Sequence, residues 1–355
     1  MIEPLTRESL CHAPGVRLAG LAMRGVLQAV LCVAFLAPIH SPAQTGAQAL
    51  ALGLPIDCEL GQNCHVLAYV DQLPGPAFQD AGGGRQTYDA HDGTDFGIAN
   101  EAVMNQGVVV KAAAAGTVIR VRDGVSDKRV TTTDQAQAIN PLGCGNGVVI
   151  DHPNGWRTSY CHMRQGSLRV KKGTPVEKGA ALGLVGLSGL TSYPHLHFGL
   201  QHKGQQVDPF TGHSPSAPGN TVSQPLWEAT TAYVAAGLIN SGFATQRPDI
   251  NTVWQGRAAV PSLPASAPAV VFWVHPFGVL AGDVEEFRLT DPNGQATQWR
   301  RTLAQSNRIN ALSSVTKIRT PDTPLRAGIW QGNYQLRRGD KLLIDIRREI
   351  EVTKS

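Results

Sequence analysis

The chain has 355 residues, with 31 Lys and Arg against 27 Asp and Glu, for a net charge of +4. So slight a balance, with no basic cluster, argues against a nucleic-acid partner. Charged residues make up only 16%, while Gly (38) and Pro (23) are abundant, which favours a turn-rich, mostly β protein with room for two domains over a helical one.

Residues 1–43 read as a signal peptide with an N-terminal extension. Arg24 supplies a positive n-region, Gly25 to Pro38 is an uncharged apolar run too short to span a membrane comfortably, and Ser41-Pro42-Ala43 offers small residues to a signal peptidase. Cleavage is expected after Ala43. Residues 1–22 are then an extended n-region or an unused upstream start, and a retained anchor is the competing reading. No lipobox precedes Cys32. The expectation is an exported chain, periplasmic or extracellular, with no stable membrane span after signal removal.

Four cysteines then remain, Cys58, Cys64, Cys144 and Cys161, and an even number in an exported chain suggests disulfides. Three connectivities are open. Cys58–Cys64 closes a short loop, and Cys144–Cys161 flanks a hairpin that turns at His152-Pro153-Asn154-Gly155, so these two pairings are favoured. A thiolate metal site is disfavoured by the Cys-x5-Cys spacing and the lack of a second tight pair. Residues 44–84 read as a lead-in segment that ends in a flexible joint, Gly82-Gly83-Gly84.

The next stretch holds His91-x3-Asp95 in a Gly-rich bend that leads into a strand. Such a bend can bring an imidazole and a carboxylate to one ion, although an Asp in a Gly-rich turn is more often a turn former. Strand-like runs follow at 107–110, 116–121, 147–151 and 156–163, with 122–143 read as a long surface loop. Alternation along 156–163 puts Cys161 and His162 on opposite faces. Shorter strands follow at 170–176 and 181–186. In Pro194-His195-Leu196-His197-Phe198 the same alternation puts His195 and His197 on one face. A lone His-x-His is weak evidence for metal; with the upstream residues it becomes a constellation.

The span from about Gly84 to Phe210 resembles the lysostaphin-type (LytM-type) zinc metalloendopeptidases, a family of peptidoglycan hydrolases. The resemblance rests on His91-x3-Asp95, Tyr160-Cys161-His162 and His195-Leu196-His197. The phrases Gly145-Asn146-Gly147-Val148-Val149-Ile150-Asp151-His152, Val170-Lys171-Lys172-Gly173 and Gly183-Leu184-Val185-Gly186-Leu187-Ser188-Gly189 support it. It covers about a third of the chain and implies an antiparallel β-sheet peptidase domain over 85–211. His91, Asp95 and His197 match the zinc ligands, for one Zn2+ per chain, and His162 and His195 match the two unliganded catalytic histidines. A cysteine before His162 and a long loop at 122–143 depart from the family pattern and leave substrate preference open. Three protein ligands leave a fourth zinc position for water. No His-Glu-x-x-His motif supplies a Glu base, so His195 is assigned as general base and His162 to hydrogen bonding of the water or the developing oxyanion, roles the sequence leaves exchangeable. The implied substrate is peptidoglycan, its peptide cross-links or stem peptides. The competing readings are a non-catalytic binding or activator module of cell-wall hydrolases on the same fold, and an exported peptidase acting on proteins. His65, His152, His202, His213 and His275 have no such support and are assigned to the surface or to turns.

Residues 212–268 read as a linker carrying one helix, Leu226 to Asn240, with Pro225 at its start and Gly242 past its end. Residues 269–355 carry strand-like runs at 270–274, 284–289, 333–337 and 342–346 and the turn Asp291-Pro292-Asn293-Gly294, which suggests a β-sandwich, immunoglobulin-like domain of unknown partner. Mass spectrometry of the exported chain should find Gln44 at its N-terminus; an intact Met1 or Met23 would overturn the signal-peptide reading.

Overall fold

A computed structural model describes residues 50–215 and 224–354. The expected signal peptide therefore lies outside the described residues, as does the middle of the Ser/Pro/Gly-rich stretch that follows Gly212. The fold is mostly β and antiparallel, as the composition and the resemblance predict.

Ten strands, β1 (Cys64–Ala68), β2 (Thr94–Ile98), β3 (Val109–Lys111), β4 (Gly116–Arg122), β5 (Asn146–Asp151), β6 (Trp156–Met163), β7 (Pro175–Val176), β8 (Ala181–Leu184), β9 (His195–His202) and β10 (Gln205–Gln206), make up the first half. One antiparallel sheet runs β1-β2-β9-β6-β5-β4-β7, with β10 paired to β9, and β3 and β8 form a separate two-stranded ribbon. The inward faces carry alternating apolar residues, among them Val118, Val148, Ile150, Tyr160, Leu196 and Phe198, which close one core. Both favoured disulfides are formed, Cys58–Cys64 and Cys144–Cys161.

Several expectations are corrected here. The lead-in is part of the sheet: β1 is its edge strand, and Leu52 and Ile56 are core residues. Its glycine joint is a pinned turn. The Asp80 carboxylate accepts from the backbone N–H groups of Gly82, Gly84 and Gln86 and from the Tyr233 hydroxyl. A Cβ on Gly82 would lie 2.4 Å from the Tyr233 ring, so a side chain here would displace that ring. The loop at 122–143 contains a helix, α2 (Thr133–Ile139), which follows the shorter α1 (Glu101–Gln106). Thr132 and Gln135 form a capping box at its start, a signal present in the sequence as Thr-x-x-Gln.

The expected helix over Leu226–Asn240 does not form. Leu226 and Glu228 commit their backbone N–H groups to Pro209 and Leu52, and Val234 donates to the Tyr69 hydroxyl. The chain then enters a strand, β11 (Gly237–Ala244), and pairing partners override the helical pattern. The helix in this region is instead α3 (Ile250–Trp254), capped by the Asp249 carboxylate.

The remaining strands are β12 (Ser262–Pro264), β13 (Ala269–Phe277), β14 (Val284–Thr290), β15 (Ala296–Thr302), β16 (Ser313–Ile318), β17 (Gly328–Arg338) and β18 (Lys341–Thr353). They form a three-stranded sheet, β11-β13-β16, and a five-stranded sheet, β12-β18-β17-β14-β15. Phe243, Val270, Phe272 and Val315 of the first sheet and Phe287, Tyr334, Leu336 and Ile350 of the second share one core, the packing of a sandwich. The stretch expected as linker therefore supplies β11 and β12 to the two sheets. The described residues form one compact unit. A third apolar cluster joins its halves: Leu67 and Tyr193 from the first pack with Ile239, Trp254, Phe277 and Ile309 from the second.

Three of the histidines assigned to the surface or to turns are buried. His152 pins its hairpin through contacts to the Ala115 carbonyl at 2.7 Å and Thr158 Oγ1 at 2.8 Å. His65 packs against Phe277. His275 is wholly buried in β13, donating through Nε2 to the Ile309 carbonyl at 2.6 Å, while its Nδ1 has no partner among the described residues. Burial pushes the pKa of His65 and of His275 down to about 4. The unfolded chain, with histidine near 6.5, binds these protons more tightly than the fold does. Stability is therefore complete above about pH 6.5 and falls as the pH drops toward 4, by roughly 3 kcal/mol per histidine at most. Urea unfolding midpoints should decline over that window, and His275→Gln should make the decline shallower; an unchanged slope would contradict the assignment.

Candidate metal centre and active site

The five residues singled out in the sequence lie in one cluster, and strand register explains most of it. Asp95 on β2 stands directly opposite His197 on β9, and Cys161 on β6 stands opposite His197 from the other side. Two residues along β9, His195 shares the face of His197. His91 comes from the bend before β2, where its carbonyl accepts from the Asp71 N–H. His162 sits beside the disulfide-bonded Cys161 with a φ of +60°, in the left-handed region that disfavours residues with a Cβ. Its N–H donates to the Cys144 carbonyl at 2.8 Å, and the Cys144–Cys161 bond ties the same two segments together.

Ligand-type atoms of His91, Asp95 and His197 converge. Asp95 Oδ1 lies 3.1 Å from His91 Nε2 and 3.0 Å from His197 Nδ1, and the two nitrogens are 3.2 Å apart. Zinc bonds of about 2.0 Å in a tetrahedron put donor atoms about 3.3 Å apart, so this triangle is the size of one face of a zinc site. The outer atoms of the same residues show which lone pairs face inward. His91 Nδ1 donates to the Tyr69 carbonyl at 2.7 Å, which leaves Nε2 bare in the neutral ring. His197 Nε2 faces the Asp92 carboxylate at 3.3 Å, which turns Nδ1 toward the centre. Asp95 Oδ2 accepts from the Tyr193 hydroxyl at 2.9 Å, leaving Oδ1. Three lone pairs aimed at one point repel one another unless positive charge lies between them, and partners that orient a ligand's far side are the usual surroundings of a metal-binding histidine.

The electrostatics agree. Burial opposes a charge on His197, but hydrogen bonds to Asp92 and Asp95 outweigh it and lift its pKa to about 10. Burial also works against ionised Asp95, yet His91 and His195 hold its carboxyl well below the usual carboxylate range. Both shifts mark a centre that favours positive charge. The residues present fit a zinc ion.

The other two histidines flank this triangle. His195 Nε2 is 3.4 Å from Asp95 Oδ1, and its Nδ1 is 2.9 Å from the Tyr193 carbonyl and 3.1 Å from Thr191 Oγ1. The His162 ring lies 4.6 Å from the His195 ring and 6.0 Å from that of His197, with Nδ1 donating to the Ser188 carbonyl at 2.8 Å. Burial, followed by the neighbouring His195 and His197, drives the His162 pKa well down, so its ring is neutral.

Sequence reasoning missed the residues that orient this set. Asp92 and Tyr193 adjoin the motifs but match neither, and only the folded sheet brings the Tyr193 hydroxyl to Asp95. The Tyr69 carbonyl carries no side-chain signal at all. Gly93, between Asp92 and β2, is required by close approach: a Cβ there would lie 2.5 Å from His197 Nε2 and 2.8 Å from the Phe198 carbonyl oxygen. Gly93→Ala should displace the His197–Asp92 contact and weaken zinc binding about tenfold or more in a chelator competition, with the far-UV spectrum unchanged. Wild-type affinity in this variant would count against His197 as a donor.

Residues 89–209 match the family model described as Peptidase family M23. Two curated relatives align over this part of the chain. The peptidoglycan DD-endopeptidase ShyA of Vibrio cholerae is 32% identical over 127 residues, 36% of this chain and 24% of that protein. The cell division protein DipM of Caulobacter vibrioides is 31% identical over 33% of this chain and 18% of its own length. The matches thus span about a quarter or less of these relatives. The crystal structure of a zinc-containing peptidase from Vibrio cholerae aligns with 39% of each chain at 25% identity and a TM-score of 0.26. Residues 89–209 form a peptidase family M23 domain of the LytM type.

Proposed function

We propose that the chain is an exported zinc metalloendopeptidase that hydrolyses peptide cross-links or stem peptides of bacterial peptidoglycan. The observation that carries this reading is the convergence of His91 Nε2, Asp95 Oδ1 and His197 Nδ1, each turned inward by a partner on its far side, with two further histidines beside them. The substrate class is taken from the relatives' names, which include two peptidoglycan DD-endopeptidases of Vibrio cholerae. Export is supported by the apolar N-terminal run and by the two disulfides.

His91, Asp95 and His197 would hold one zinc ion, which when bound acts as a Lewis acid toward a carbonyl and lowers the pKa of coordinated water to about 7. The rest of the work falls to the chain's own side chains. His195 donates from Nδ1 to the Tyr193 carbonyl, so Nε2 carries a free lone pair facing the centre. That nitrogen takes a proton from water and returns it to the leaving amine, the two halves of general base and general acid catalysis. His162 is fixed in the same sense by the Ser188 carbonyl, and its Nε2 also accepts. A neutral His162 with Nδ1 as its donor is suited to accept a hydrogen bond from the attacking water and so to orient it.

Purified peptidoglycan incubated with the protein should yield new muropeptides, with about one zinc per chain. Chelation or His197→Ala should abolish both products and zinc. His195→Ala should keep the zinc and lower kcat by roughly 100- to 10,000-fold with little change in KM. Zinc without muropeptide release would favour a protein substrate. Absence of zinc from the wild type would leave the non-catalytic activator reading.

A further inference from the structure

Arg308 lies in the loop between β15 and β16, nearly a hundred residues beyond the M23 domain, yet its guanidinium reaches that domain's centre. Its Nη1 donates to the Leu67 carbonyl on β1 at 2.8 Å. The same group stands over the Tyr88 ring, 5.0 Å from its centroid, and beside the Tyr193 hydroxyl. Both aromatic rings touch the donor triangle: Tyr88 lies against His91 with ring centroids 4.4 Å apart, and Tyr193 donates to Asp95 Oδ2. The loop itself is anchored, with the Arg308 carbonyl accepting from Gly278 N–H at 2.7 Å and Val279 and Asn307 exchanging backbone hydrogen bonds.

We propose that Arg308 is a positioning residue for the metal centre, fixing the Tyr193 hydroxyl so that its proton is given to Asp95 Oδ2 and Oδ1 is left to the metal; this rests on the zinc-site reading above. A guanidinium has donors and no acceptor. A tyrosine hydroxyl next to it therefore offers its lone pairs to the arginine and directs its one proton elsewhere. The neighbouring acceptor is Asp95 Oδ2. Without Arg308 the hydroxyl is free to rotate, and Asp95 can turn both oxygens inward or lose its partner. The cation–π contact with Tyr88 and the hydrogen bond to the Leu67 carbonyl hold the guanidinium itself in place beside Tyr193. The β-sandwich half thereby contributes a polar side chain to the surroundings of the centre.

The test uses the full chain and zinc or cobalt(II) alone. Arg308→Ala and Tyr193→Phe should each weaken zinc binding about tenfold and shift the cobalt absorption spectrum in the same direction, while thermal unfolding shows a folded chain. The double variant should bind zinc no more weakly than Tyr193→Phe, because without the hydroxyl there is nothing for the arginine to orient. If Arg308→Ala does not fold, Arg308→Lys and its double with Tyr193→Phe make the same comparison. Unchanged zinc affinity and cobalt spectrum in a folded Arg308 variant, beside a wild type that binds zinc, overturn this inference alone. Losses that multiply to about a hundredfold in the double variant overturn it too, since Arg308 would then act independently of Tyr193. A wild type that binds no zinc overturns the zinc site and this inference together.

Discussion

Asp95 is a carboxylate only 1% exposed, and a buried charge is tolerated when its lone pairs meet donors or cations. Here Oδ2 takes the Tyr193 hydroxyl, while Oδ1 faces His91, His195 and His197. Each of those histidines is in turn held by an oxygen acceptor on its outer nitrogen: the Tyr69 carbonyl, the Tyr193 carbonyl and the Asp92 carboxylate. The polar network therefore runs from one carboxylate outward into the backbone of the edge strand, the bend before β2 and the loop before β9. Those segments can adopt few other arrangements without leaving a buried polar atom unpaired.

Packing enforces the same geometry. Antiparallel pairing of β2, β9 and β6 fixes which residues stand opposite one another, and the Cys144–Cys161 bond holds the irregular end of β6 where His162 needs a left-handed backbone. The apolar cluster around Leu67, Tyr193, Trp254 and Phe277 ties the three-stranded sandwich sheet to the peptidase sheet. Stacking of Tyr193 on Trp254, at 5.5 Å, places the ring whose hydroxyl serves Asp95 against a helix from outside the M23 domain. A site built on strands and braced from both sides is rigid enough to hold donor atoms at fixed separations, which metal binding and general base catalysis both require.

The legible features are those with short-range physical signatures. Alternation put His195 and His197 on one face, which follows from the period of two in a strand, whereas His162 reaches the centre through a left-handed backbone at the irregular end of β6. Apolar, β-branched runs located β4, β5, β6, β13, β14, β17 and β18. Helix assignment failed where partners compete for the backbone. Residues 226–240 have a helical spacing of apolar side chains, but Pro209, Leu52 and Tyr69 take their N–H groups, and the pattern is spent on irregular chain and on β11. The capping box at Thr132 was readable, but seven helical residues with none buried leave little apolar periodicity to detect.

The sequence by itself determined the strand-rich architecture, the disulfide-compatible cysteines and the short motifs that hold the five clustered side chains, because each depends on residue type and on spacing over a few positions; resemblance to a known family joined those motifs into one set. Tertiary structure alone decided which nitrogen of each histidine faces the centre, because that depends on acceptors such as the Tyr69 and Ser188 carbonyls, which belong to distant parts of the chain. It also decided that Tyr193 serves Asp95, that Asp92 serves His197, and that Arg308 reaches both rings beside the donors. Arg308 and Asp95 are more than two hundred positions apart, and no local pattern encodes a contact that exists only once two sheets have packed against a third.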